Sequence, residues 1–241
     1  MIRAFARPAP LVLLLAFLTG IPVVMAAFRL VQIPLGALPE DSLRLAGVPL
    51  SLFLHSLGGV LFGVLGPLQF VLTIRRRWGM LHRLTGRVFV LAGVAMALAG
   101  LGLLFQVQSL STGLLDAARG VFSLALMLAL GMGVAAARAR DMARHRAWMV
   151  RAYAIGMGPG TVALVMFPIY LITGAPVVGL VADIVFVGQW LTTMALAEWV
   201  IRRLSALQPT QLFAARYHPT AKFFATRKNN VQSCDGGVER P

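Results

Sequence analysis

Apolar runs alternate with short polar connections along almost the whole chain. They fall near residues 9–31, 49–74, 88–106, 117–137, 152–172 and 177–201. Each is about 20 residues long, enough for a helix to cross the hydrocarbon core of a bilayer. Peptide groups in lipid find no water, so such segments must close their hydrogen bonds internally as helices. The pattern predicts an all-α, polytopic membrane helix bundle of six transmembrane helices, with short connections favouring antiparallel neighbours. The number falls to five if the first segment is cleaved. Arg3 and Arg7 precede Leu11–Phe28, and Val24-Met25-Ala26-Ala27 carries the small residues of a signal-peptide cleavage site. The run is longer than a usual signal core, so its retention is expected. The reading gives a membrane domain over 1–205 and a basic cytoplasmic tail over 206–241, partly disordered.

Composition agrees: 59% of residues are hydrophobic and only 12% charged, with a mean hydropathy of +0.81, which excludes an ordinary soluble domain. A formal charge of +14 would suit a nucleic-acid binder, but its distribution points elsewhere. Residues 75–87 hold five arginines and no acid, and 138–151 hold five against Asp141 alone. The opposite connections are nearly neutral. That alternation is the positive-inside pattern, so these two connections and the C-terminus are expected on the cytoplasmic side. The expected partners are membrane lipids, with anionic headgroups at the arginines, and no nucleic acid. Cys234 is the only cysteine, which rules out an intrachain disulfide and a multi-cysteine metal site.

The two basic connections repeat each other. Arg75-x-Arg77-x4-His82-Arg83 recurs as Arg138-x-Arg140-x4-His145-Arg146. The echo continues through Arg87 and Arg151, Phe89 and Tyr153, then Gly93 and Gly156. A tandem helical-hairpin repeat, about 49–106 and 113–172, accounts for it. Counting back from each histidine aligns His55 with Arg119, defining a candidate outer site to which Asp183 could contribute. Gly59, Gly63 and Gly66 share a helix face with His55, suited to close helix packing or to a flat ligand. Gly66-Pro67 and Gly156-x-Gly158-Pro159-Gly160 predict kinks.

Neutral imidazole is an axial ligand of haem iron, and two histidines on different helices can hold a b-type haem. His82 and His145 have the identity and equal depth this requires, and Arg83, Arg87, Arg146 and Arg151 could bind its propionates. The site needs helices that extend beyond Arg87 and Arg151, because the apolar runs stop there. Otherwise the histidines sit among headgroups and the motif fixes topology. His55 has no second histidine at its depth; Met127 is the candidate partner.

The stretch Gly66-Pro67-Leu68-Gln69-Phe70, Arg75–Arg77, Leu81-His82-Arg83-x3-Arg87-Val88-Phe89 resembles a bacterial membrane-protein family, domain of unknown function 2306. So does His145-Arg146-Ala147-Trp148-Met149-Val150-Arg151-Ala152-Tyr153-Ala154. The resemblance covers roughly residues 48–200. It implies a multi-helix protein of the bacterial inner membrane, with motif positions at His55, His82, Arg83, Arg87, His145, Arg146 and Arg151. More distantly, the chain is similar to bis-histidine cytochrome b bundles, from which it departs by lacking a fourth membrane histidine.

Three functions suit these features: a haem-b redox protein, a small-solute transporter or channel, and a non-catalytic lipid-binding scaffold. No Gly-x-Ser-x-Gly elbow, phosphate loop or His-Glu-x-x-His helix occurs. The sequence leaves catalysis open.

Overall fold

The computed structural model describes residues 8–107, 112–175 and 177–206. The tail from 207 onward, with Cys234 and His218, lies outside the described residues. Every regular element among them is helical: α1 (Pro8–Leu35), α2 (Pro49–Gln69), α3 (Leu72–Arg77), α4 (Gly79–Gln106), α5 (Gly113–Arg138), α6 (Met142–Met157), α7 (Ala163–Thr173) and α8 (Gly179–Ala206), with 3-10 turns at Glu40–Leu45 and Gly158–Val162. Five segments have the length and composition to cross a membrane: α2, α4, α5, Met142–Thr173 and α8 as far as Arg203. Outward positions carry apolar side chains suited to lipid, among them Leu91, Phe105, Leu128 and Ile172.

The chain divides into two compact units, 1–197 and 198–241. In the second, the described residues form the last turns of α8, where the Arg203 guanidinium lies over Trp199, 5.6 Å from the ring centre. In the first, α2 packs along α4, α4 along α5 and α5 along α6, while α6 also touches α2. These four helices close a ring in which α4 and α6 stand diagonally. α1 lies against α2 and the second 3-10 turn.

The centre of the ring is aromatic. Phe62 stacks on Phe89 at 4.2 Å, and Tyr153 lies 5.9 Å from Phe62 and 6.4 Å from Phe89. Leu126, Ala129, Leu130 and Ala152 complete the packing.

Both prolines expected to kink helices have partners supplied from another helix. Pro67 has no N–H for the Gly63 carbonyl four residues back, and the Tyr153 hydroxyl donates to that oxygen at 3.4 Å. Pro159 likewise leaves the Ile155 carbonyl without its helical donor, and Trp190 Nε1 donates to it at 2.9 Å. The Pro159 break becomes the 3-10 turn Gly158–Val162, while α2 continues through Pro67 to Gln69.

The two connections of the repeat differ in construction. In the second, α5 runs straight to Arg138 and turns through Arg140, whose φ of 60° is left-handed. The Asp141 amide reaches Ala136 O at 2.9 Å, closing α5, and the Asp141 carboxylate then caps α6 by accepting from the Arg144 amide at 3.0 Å. In the first, the extra helix α3 carries Arg75–Arg77, and Gln69 Nε2 ties the end of α2 to Thr85 Oγ1 at 2.8 Å.

Candidate functional site

α4 begins at Gly79 and α6 at Met142, so both helices continue past Arg87 and Arg151 and include the histidines. Hydropathy falls at those arginines, but arginine is a good helix former and does not end the helix. His82 stands seven residues before Phe89, and His145 eight before Tyr153, about two helical turns in each case. His82 lies within electrostatic reach of His145, Arg75 and Arg83.

The two rings are held differently. His145 Nδ1 is 2.8 Å from the Gly133 carbonyl of α5. A carbonyl only accepts, so Nδ1 carries the hydrogen and the neutral ring keeps its lone pair on Nε2. His82 Nδ1 is buried and has no hydrogen-bond partner. Such a group costs free energy unless something bonds it.

The arginines have different surroundings. Arg83 and Arg146 are exposed beside the imidazole pair, with Arg146 Nε on Met142 O at 3.1 Å. Arg87 is exposed on α4, and Arg151 lies over the Trp148 ring at 4.8 Å. Arg75 joins the cluster from α3. Partial burial, and then the charges of Arg146 and Arg76, hold its guanidinium below the usual arginine range. Sequence reading placed Arg75 in the motif without giving it a role; its proximity to Arg146 depends on how α3 folds back.

At the other end of the bundle, His55 Nδ1 is 2.9 Å from the Met96 carbonyl, and Arg119 is within electrostatic reach of the ring. Arg119 itself pairs with Asp116 at 3.1 Å. Asp183 is only 3% exposed and accepts from the Thr112 amide at 2.6 Å, so it tethers the start of α5 to α8. Met127 packs against the core, and Met96 is the methionine beside His55.

His55 lines a cavity of about 420 Å³ together with Arg29, Ser56, Gly59, Ser123 and Trp190. Gly59 leaves room: a Cβ there would meet only ordinary contacts, at 3.8 Å from Met96 Sδ and 3.9 Å from Ala26 Cβ. The close approach of α2 to α4 is made instead by Gly58, where a Cβ would lie 2.8 Å from Ala92 O. Arg29 was invisible as a site residue in sequence, because nothing local shows which helix α1 packs against. A smaller hollow of about 310 Å³ between α7 and α8, lined by Phe167, Tyr170 and Phe186, holds none of the candidate residues.

These features define the class: a polytopic helical membrane protein with a paired-histidine, arginine-rich end and a cavity at the opposite end. Residues 52–201 match the family described as predicted membrane protein (DUF2306), and the chain belongs to that family. No curated protein and no solved structure matches it.

Proposed function

We propose that this chain is a redox protein of the bacterial inner membrane that holds one b-type haem between His82 and His145. The observation carrying this reading is the pair itself. Two repeat-equivalent imidazoles stand on diagonal helices, one with its Nε2 lone pair set by Gly133 and the other with a buried nitrogen lacking a partner.

The residues fit the group. Among the described residues no cluster of three or more His, Cys, Asp or Glu could hold a metal. Two imidazoles would suffice for a metal that arrives in a macrocycle carrying its other donors, as haem iron does. The Gly133 carbonyl orients His145 in the manner of an outer-shell partner. Arg83 and Arg146, with Arg75, would supply cations for its propionates. Phe62, Phe89 and Tyr153 exclude water on the inner side. The bound haem would supply one-electron chemistry. The likeness to bis-histidine cytochromes b belongs to this proposal, as does a cytoplasmic position for the His-Arg end.

An absorption spectrum of the purified chain, expressed with adequate haem supply, tests the reading. A Soret band that His82→Ala or His145→Ala abolishes or alters is the expected result, and its absence from the wild type would count against haem.

A second reading draws on the mutual crowding of Arg75, Arg76 and Arg146. Phosphate of an anionic lipid would relieve that repulsion, making this end a headgroup clamp. It predicts a folded chain without haem that loses its preference for anionic lipid when these arginines are neutralised.

A further inference from the structure

The cavity beside His55 carries an unmatched charge. Arg29 Nη2 donates to Ser42 Oγ at 2.7 Å, but Arg29 Nη1 is buried without a hydrogen-bond partner. A guanidinium stays protonated at any physiological pH, so its buried donor is costly until an acceptor, best an anionic one, reaches it.

That atom has no hydrogen-bond partner among the described residues. None of the residues lining the cavity is acidic. Asp116 is taken by Arg119, and Asp183 by the Thr112 amide. His55 adds no competing negative charge: its Nδ1 donates to Met96 O, and its neutral Nε2 offers one lone pair to a hydroxyl. The remaining wall is apolar, built around Met96, Leu126, Ile155 and the Phe122–Trp190 stack, whose ring centres are 4.6 Å apart. A space of about 420 Å³ falls within the range used for small molecules.

The geometry points to a binding site for a small amphiphile with one oxyanion, its charged oxygen at Arg29 and its apolar body along Phe122 and Trp190. The chemistry is a carboxylate or phosphate on a short apolar body, either as a free acid or as the headgroup end of an anionic lipid. This site is independent of the haem reading, because it shares no residue with the His82–His145 end.

Decanoate and decanol are the probes. The full chain is placed in phosphatidylcholine discs and titrated calorimetrically, with empty discs as the blank. Saturable decanoate binding above the blank is expected, and decanol should show partition alone. Arg29→Gln should weaken decanoate binding about tenfold or more, as loss of a charge-assisted hydrogen bond requires. Gly59→Leu, which takes up cavity space and leaves the Arg29 guanidinium in the chain, should abolish binding and serves if Arg29→Gln fails to fold. Repeating the titration with phosphatidylglycerol in the discs separates the sources. Competition identifies a lipid headgroup as occupant, and unchanged affinity identifies a free acid; both support the oxyanion site. Decanoate that only partitions in both kinds of disc, or binds equally well to Arg29→Gln or Gly59→Leu, overturns it.

Discussion

Gly93 and Gly156 grip the ring of Phe62 from opposite helices. A Cβ on Gly93 would come within 2.8 Å of Phe62 Cε2, and one on Gly156 within 2.5 Å of Cε1. The two glycines are repeat equivalents, each eleven residues after its histidine. Phe62 is 0% exposed. The duplicated sequence thus builds a flat slot at the centre of the bundle, with one aromatic ring inside it.

Gly93→Ala and Gly156→Ala should each destabilise the protein by about 1–3 kcal/mol, the usual range for overpacking. Gly59→Ala should be close to neutral, since its Cβ meets ordinary contacts. Phe62→Leu should recover part of the loss in either glycine variant, because the residues touch. Thermal unfolding in detergent reads all of these. Equal losses at Gly59 and Gly156 would contradict the slot.

Trp190→Phe removes the donor that satisfies Ile155 O beside Pro159. The expected cost is about 0.6–1.7 kcal/mol, the range for interhelical hydrogen bonds in membranes. It should shrink in a Pro159→Ala background, where a backbone N–H returns. A double-mutant cycle on unfolding free energy checks this, and an unchanged cost in both backgrounds would refute the pairing.

Arg140 holds a left-handed conformation that costs an L-residue about 1–2 kcal/mol. Arg140→Gly should therefore raise stability, by about 1 kcal/mol after the greater flexibility of the unfolded glycine is counted. A fall in melting temperature would show that the arginine makes a compensating interaction.

Arg75 is partly buried and repelled by Arg146 and Arg76. Arg75→Gln should stabilise the ligand-free protein in zwitterionic lipid, by no more than about 1 kcal/mol given its exposure. The gain should vanish in anionic lipid or with haem bound, where the charge has a partner. Melting curves in the two lipids decide the matter.

Five of the six expected spans were legible in sequence because hydropathy is a local property. The matched spacing of the two motifs already set His82 and His145 at equal depth. Hydropathy alone stopped the spans at Arg87 and Arg151, whereas the helices start at Gly79 and Met142 through backbone and capping bonds that apolarity does not report. Arg29 and Trp190 act through contacts between distant segments, with Ser42 and Ile155 respectively. Asp183 falls at the depth of His55 in the sequence, but depth does not say which helix end it faces; it bonds Thr112.

Haem content per chain tests the central proposal most directly. Pyridine haemochrome assay of the purified protein should give one haem per chain, retained in His55→Ala and lost in the His82→Ala, His145→Ala double variant. A wild type that contains no haem, or a folded double variant that contains as much as the wild type, would contradict it.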